Sequence, residues 1–490
     1  MSYDKPQKHP GGALIMGENK AAVKHSIDNV EITEACMTGR AGLALISKYI
    51  KAIGIEQLLT GIFSFLKKSS KGTTLVSIFH QLICFFFDGT SLRLVRFDQL
   101  KKDNGYAASI ETPVEQMLSS HAVKRFFQNI SIVRVWLFRR ILRRLFVWRL
   151  SVEQPELITL GIDTMVLDND EAQKREGVEP TYKKVKGFQP LQLYWGRYLI
   201  DAIFRNGKAH SNYGDHVIRM ISTIVGLIRR SYRSSVPIVL AADSGFFDQK
   251  ILEYCEHLQI GIIVGGKMYE DIKEFITATP DELFYEYKGA GNTWVFTEFG
   301  GRRKCWDKYY RIIYTKPVTD DGSQVLFDFA RPETIIYTNL GLDNEITRSI
   351  LARHDEKLTH ISPQAIITTY HQRGRDELVN RALKDFGGEQ LPFARFPSNA
   401  AFYYMMVISF FLFEVFKKDV GTDIIPLTWY ATTFRRHCLD IAGKIVRTGR
   451  QVVLQVTRAT WEFLRLDILW ARCVSADSFA HVTEATIFFS

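Results

Sequence analysis

The sequence predicts an α/β protein flanked by helical regions, and three observations carry that prediction. Short apolar runs at residues 157–162, 237–242 and 260–264 stop at Asp163, Asp243 and Gly265, the pattern of strands buried within a sheet. Between the first two, Val217, Met220, Ile221, Ile224, Val225 and Ile228 recur at helical spacing, which gives the layer that covers such a sheet. Before residue 150 and after residue 400 the texture is helical, with apolar positions three and four apart rather than alternating.

Each element can be justified in order. Residues 1–40 are polar and irregular, with room for one early strand. Residues 43–53 and 75–87 are apolar at helical spacing, and Gly89-Thr90-Ser91 is a turn between later helices. The stretch 124–150 carries Lys124, Arg125, Arg134, Arg139, Arg140, Arg143, Arg144 and Arg149 with no acid, interleaved with Trp136, Phe138, Phe146 and Trp148. An uncompensated run of this kind favours phosphates, whose neutralisation releases counterions. Arg139, Arg140, Arg143 and Arg144 are therefore candidate DNA ligands, and residues 1–150 the expected DNA-end-binding region.

From residue 157 strands and helices alternate. Residues 191–204 predict two strands about Gly196-Arg197, and a helix at 249–258 precedes the strand at 260–264. Residues 268–342 change character: the segments 284–287, 294–299, 309–314, 325–329 and 334–338 are aromatic-rich and β-favouring. They read as a β-rich insertion between residues 151–267 and 343–400. Ser362-Pro363 opens a helix that Gly387-Gly388 closes, with Gly374 a weak point inside it. Residues 400–416 are apolar but short of the roughly 20 residues of a membrane span, and they contain Glu414; a buried helix is expected and no membrane partner. Residues 401–490 are predicted as a helical C-terminal region, its tail basic through Arg435, Arg436, Lys444, Arg447, Arg450 and Arg458.

Composition narrows the function classes. A 490-residue chain with 46% hydrophobic residues can bury a large core, and a net charge of +10 suits a polyanionic partner. The six cysteines are scattered without a CxxC pair or paired histidines, which excludes a disulfide framework or zinc site and fits reduced thiols. The first residues, MSYDKPQKHPGG, hold no apolar signal core, so a cytoplasmic location is expected.

The chemistry lies in a spaced set of residues. Residues 370–384, YHQRGRDELVNRALK, fit Y-x2-R-x3-E-x6-K. On one continuous helix, Tyr370, Arg373, Glu377 and Lys384 would share an arc of roughly 60°, opposite Leu378, Val379, Ala382, Leu383 and Phe386. An acid flanked by cations and a phenol can hold a metal ion and a phosphodiester together. Asp163 and Asp243, each at the end of a predicted strand, complete a set of three carboxylates. Three such acids at one sheet edge can hold two divalent ions about 4 Å apart for in-line displacement at phosphorus. Hard oxygen ligands suit Mg2+ or Mn2+. Asp168 is an alternative to Asp163, which closes its strand directly.

In this set the sequence resembles the bacterial insertion-sequence transposases of the "transposase DDE domain, group 1" type. Asp163 in LGIDTMVLD, Asp243 in VLAADSGFF and Glu377 in the Y-R-E-K stretch correspond to the DDE triad. GFQPLQLYWGRYLIDAIFRNGKAHSN and LPFARFPSNAAFYYMM extend the likeness over about residues 30–460. The resemblance implies an RNase H-like catalytic domain with a mixed five-stranded sheet and a β insertion before the last acid. It implies binding of terminal inverted repeats, hydrolysis at the element's end, and joining of the freed 3′ hydroxyl to target DNA in a synaptic complex of two protomers. Metal ligation and catalysis would fall to Asp163, Asp243 and Glu377 with two Mg2+ or Mn2+ ions. Tyr370, Arg373 and Lys384 would hold phosphates, and Trp294 or Trp306 would stack on a displaced base. The expected location is the bacterial nucleoid. The competing readings are a catalytically inactive DNA-binding repressor or domesticated derivative, and an RNase H-like nuclease that cleaves without strand transfer.

Overall fold

The helical texture of the first third of the chain is realised as β1 (Cys36–Thr38) followed by α1 (Leu43–Ile53), α2 (Ile55–Phe63), α3 (Leu75–Asp88), α4 (Arg96–Leu100), α5 (Asn104–Ser109), α6 (Ser120–Gln128) and α7 (Ile132–Glu153). The boundaries follow local chemistry. Thr74 Oγ1 accepts from the Ser77 N–H at 3.2 Å to start α3, and Gly89, at φ 54°, ends it. This computed structural model describes residues 27–478 apart from 28, 68–71, 173, 290–291, 305, 318–332, 354–359 and 373. Residues 1–35 and 36–490 cluster as separate units, and all elements named here belong to the second.

The middle of the chain builds β2 (Ile158–Thr164), β3 (Leu167–Asp168), β4 (Glu179–Pro180), β5 (Lys186–Phe188), β6 (Leu191–Trp195), β7 (Tyr198–Ile203), α8 (His216–Ser231), β8 (Ile238–Ala242), α9 (Gln249–His257), β9 (Gly261–Gly265) and α10 (Glu270–Ala278). Next come β10 (Tyr285–Gly289), β11 (Asn292–Gly301), β12 (Tyr310–Pro317), β13 (Thr334–Thr338) and α11 (Glu345–Arg353). The main sheet has nine strands in the order β10-β11-β12-β13-β9-β8-β2-β6-β7. Within it β2, β8 and β9 run parallel while β6 and β7 are antiparallel additions. Five of the nine, β7-β6-β2-β8-β9, form a mixed set, and the β-rich segment continues it: β13 pairs antiparallel with β9 and so satisfies an edge that would otherwise present unpaired backbone groups. The predicted strand at 325–329 lies outside the described residues.

The last third holds α12 (Pro363–Gln372), α13 (Gly374–Gly387), α14 (Phe396–Asp419), α15 (Ala431–Phe434), which runs into one π-turn at Arg435–Leu439, then β14 (Gly443–Thr448), β15 (Gln451–Gln455), α16 (Arg458–Leu464) and α17 (Leu466–Val474). The signature is helical on both sides of Arg373, which lies outside the described residues. One expectation changes here. The C-terminal region is not wholly helical, because β14 and β15 form a hairpin that β1 extends into a three-stranded sheet. The apolar helix α14 is as expected: it is long and apolar enough to cross a membrane, yet it is buried within the protein.

Arg435 is no surface cation. Its guanidinium is buried and donates to the carbonyls of Phe86 at 2.7 Å, Phe87 at 2.8 Å, Phe386 at 2.6 Å and Asp385 at 3.3 Å. It therefore caps the C-terminal ends of α3 and α13 together, where the helix dipoles favour a cation. Burial pulls its pKa down to about 10.

A second buried charge ties α1, α2, α3 and the residue after α5. His80 Nδ1 contacts Glu56 Oε1, and its Nε2 faces the Ile110 carbonyl oxygen at 2.7 Å. With acceptors on both ring nitrogens the imidazole is held protonated. Burial opposes that charge, but Cys84 and Glu56 outweigh it and raise the pKa from 6.5 to about 10. The folded value exceeds the unfolded one, so the stabilisation is complete below pH 6.5 and is lost as pH rises towards 10. We predict that the stability gap between the wild type and His80→Gln, measured by denaturant unfolding, narrows steadily from pH 6.5 to 10. A gap that does not change with pH would show that the histidine is neutral.

Candidate active site

The two aspartates reach one place because of strand register. β2 and β8 pair in parallel with Ile162 opposite Ala242, so Asp163 and Asp243 leave neighbouring strands side by side, about 4.8 Å apart in backbone, at the carboxyl edge where α/β sheets bind ligands. Asp163 lies inside β2, one residue from its end. Its Oδ1 accepts from the Thr164 N–H at 2.7 Å and its Oδ2 from Asn380 Nδ2 at 3.0 Å. Asp243 begins the next turn, with Oδ1 accepting from the Gly245 N–H at 2.9 Å. A Cβ at Gly245 would lie 3.2 Å from Ser211 Oγ, which brings a hydroxyl close to this carboxylate.

Glu377 arrives on α13, exposed, one turn before Asn380. The Asn380–Asp163 bond thus fastens the helix bearing the third acid to the strand bearing the first. One phenol registers all three: burial, then the charges of Asp163, Asp243 and Glu377, push the Tyr182 hydroxyl up to about 12. Tyr182, on the turn between β4 and β5, is thus within electrostatic reach of all three acids. Among the described residues no group of three or more His, Cys, Asp or Glu side chains is drawn together into a metal shell. The donor set of Asp163, Asp243 and Glu377 is carboxylate oxygen only, which fits Mg2+ or Mn2+ and not zinc.

The signature residues Tyr370, Glu377 and Lys384 lie on α12 and α13, on either side of Arg373. Tyr370, on α12, is half-buried and faces the end of β9: a Cβ at Gly265 would fall 2.3 Å from its hydroxyl and 3.2 Å from the Ser244 nitrogen. Tyr370 thereby stands beside the Asp243 turn. Lys384 lies on α13 and pairs with Glu389 at 2.7 Å. Trp294, on β11, stacks on His371 with ring centroids 4.2 Å apart, and Tyr287 meets Thr368 at 2.8 Å. The β extension is docked on α12 by these contacts. Trp306 is a core residue packed on Phe247 and Tyr337, which removes it as a base-stacking candidate. Asp168 accepts from the Asp170 N–H at 2.9 Å and serves a turn.

The arginine-rich helix α7 needs a correction. Arg139 donates two bonds to the buried Asp201, at 2.8 and 2.7 Å, and Arg143 a third at 3.3 Å. Although burial opposes it, these guanidinium groups hold the Asp201 carboxyl below its ordinary value. Arg149 is buried and bound to Glu153 and Asp419. The run is acid-free only in sequence; its counter-charges come from β7, from the last residue of α7 and from the end of α14. Arg140 lies over the Trp136 ring at 5.3 Å, and Arg144 is half-buried on the same helix. Asn380 and Tyr182 were not singled out in the sequence. The i, i+3 spacing of Asn380 from Glu377 was the available signal.

A mixed sheet with acids side by side at its carboxyl edge, and a third on a helix tied to it, defines a class of enzymes that displace at phosphorus. The chain belongs to the transposase DDE domain, group 1 family, whose model matches residues 23–466, and it is a DNA transposase, a nuclease and transesterase. DDE transposases generally depend on divalent metal ions. A solved chain described as the piggyBac transposase synaptic complex with hairpin DNA, by cryo-electron microscopy, is similar at 13% identity and TM-score 0.37, over 82% of this chain and 81% of that one. No curated protein matches the chain.

Removing the Asn380 amide takes one donor from Asp163, whose Oδ1 keeps the Thr164 N–H, and one partner from the Tyr194 hydroxyl. Asn380→Ala is expected to lower unfolding stability by about 1–3 kcal/mol and to reduce the cleavage rate more than DNA affinity. Denaturant unfolding and single-turnover cleavage measure both; wild-type values in each would exclude the clamp.

Proposed function

We propose that this transposase binds the terminal inverted repeats of a bacterial insertion sequence, cleaves at the element's ends and joins the freed 3′ hydroxyls to target DNA in cut-and-paste transposition. The observation that carries the reading is the Ile162–Ala242 register, which sets Asp163 and Asp243 side by side, with the helix of Glu377 bonded to Asp163 through Asn380. The subset β7-β6-β2-β8-β9, with β6 antiparallel to β2, supports an RNase H-like catalytic core.

In this reading Asp163, Asp243 and Glu377 hold two Mg2+ or Mn2+ ions, which when bound activate the attacking oxygen and neutralise charge on the leaving oxygen. The protein's own residues do the positioning. Tyr370, beside the Asp243 turn, donates its hydroxyl to a phosphate oxygen, and Arg373 and Lys384 bind neighbouring phosphates as cations. Trp294, already stacked on an imidazole, offers its face to a displaced base. Arg140 and Arg144 add cationic contact along the backbone, whereas Arg139 and Arg143 are committed to Asp201. The working assembly is a homodimer in a synaptic complex with both ends, at the bacterial nucleoid in the cytoplasm.

The test separates catalysis from binding. Asp163→Ala, Asp243→Ala and Glu377→Ala should each abolish metal-dependent end cleavage, a loss of orders of magnitude. Gel-shift affinity for end DNA should stay near wild type, because it rests on distributed cationic contacts. Near-normal cleavage by any one variant would take that acid out of the site.

A further inference from the structure

The turn after α3, the exposed side of α6 and the loop after α13 enclose a cleft of about 600 Å3, lined by Arg93, Lys124, Arg175, Gly388, Glu389 and Gln390. Its charge is lopsided, with three cations and one carboxylate. Arg93 and Lys124 are exposed. Arg175 is half-buried, and its guanidinium donates to the neutral Asn169 amide oxygen at 3.2 Å. Burial alone, with no carboxylate against it, draws its pKa below the ordinary arginine value. A cation desolvated on those terms and opening on a cleft favours an incoming anion.

The one carboxylate is held as a phosphate would be. Glu389 Oε2 lies 2.7 Å from Lys384 Nζ and accepts from the Asp168 backbone N–H at 3.3 Å. Gly388, at φ 71°, makes the turn that folds Glu389 back towards Lys384, and Asn169 Nδ2 fixes the loop by donating to the Glu389 carbonyl at 2.9 Å. A cation plus a backbone N–H is the donor set that phosphate oxygens take. Lys384 stands seven residues beyond Glu377 on α13, about 10 Å along the axis. A phosphate held there belongs to flanking backbone, not to the reacting bond.

We propose that this cleft binds backbone phosphates of duplex DNA through Arg93, Lys124 and Arg175, and that Glu389 occupies the phosphate position on Lys384 while DNA is absent. The proposal rests on the reading of Lys384 as a phosphate ligand given above. DNA binding then requires exchange of one internal anion for an external one, so Glu389 sets a threshold on affinity.

The test uses the full chain and a short random-sequence duplex, with affinity measured across a salt series. Arg93→Gln and Lys124→Gln should each weaken binding and lower the slope of log K against log salt by about 0.9. Glu389→Gln should tighten binding about two- to fivefold, the order of one partly exposed ion pair. Arg93 and Lys124 are surface residues, so both variants should fold, and melting curves check this. Overlay of all three on the wild type would overturn the proposal. In a second arm inorganic phosphate is the probe. Phosphate stabilisation that the variants abolish, with unchanged duplex binding, would make the cleft a free-phosphate site and overturn it equally. Metal-dependent end cleavage by the wild type is followed in parallel. Cleavage with overlaid binding curves defeats the cleft alone; altered slopes without cleavage uphold the cleft and defeat the catalytic reading.

Discussion

The burial of α14 is the constraint on which the rest of the molecule depends. This 24-residue helix is covered on nearly all sides, and side chains such as Tyr403, Tyr404, Phe410, Phe411, Phe413 and Phe416 are almost wholly out of solvent. Each large apolar group so buried stabilises the fold by about 1.5–3 kcal/mol relative to exposure. The sheet meets the helix through β7, and α3, α6, α7 and α13 meet it from other directions. Taking α7 from α14 would therefore expose the core of both, and residues 36–150 do not form a body apart from the catalytic sheet.

A helix without a wet face must pair every polar group it carries. Asn399 exchanges two bonds with the backbone of Phe393, at 2.8 and 2.7 Å, and so fixes how the chain enters the helix. Tyr404 donates to the Ala202 carbonyl at 2.8 Å. Glu414 is met by Lys417 at 2.8 Å and by Arg197 at 3.2 Å. Tyr403 accepts from Gln192 at 2.7 Å. Gln192 meets Tyr194, Tyr194 meets Asn380, and Asn380 donates to Asp163. The orientation of the candidate acid Asp163 is thus tied, through one chain of polar contacts, to a helix in the middle of the core. Such networks specify geometry because a half-satisfied member is costly.

Cations show how the same residue type serves opposite ends. Arg435 caps two helix termini from inside the core, Arg139 and Arg143 neutralise Asp201, and Arg149 bridges α7 to Asp419. These are structural charges, each surrounded by acceptors. Arg93 and Lys124 remain at the surface around a cleft, and Lys384 is half-buried against Glu389. The net charge of +10 therefore overstates the cationic surface presented by α7.

Much of the order of elements could be read from the chain. Apolar runs at 157–162, 237–242 and 260–264 became β2, β8 and β9, the Gly196-Arg197 turn separates β6 from β7, and Ser362-Pro363 opens α12. These features are local, set by side-chain period and turn chemistry within a few residues. The family signature was equally legible, since it is a matter of residue type and spacing. What the sequence could not contain was who meets whom. Asp201 lies about sixty residues from the arginines it neutralises, so α7 looked uncompensated. The pairing of β13 with β9 turned an insertion into sheet, and β1 with β14 brought together segments from opposite ends of the chain. The residues of α12 lie against β9 and those of α13 against α14 and β2, a placement that spacing alone does not show. By itself the sequence determined most of the elements and singled out the candidate acids, because those depend on near neighbours. Only the tertiary structure decided which charges are spent internally and which stay exposed, because pairing energy depends on distance in space and on burial.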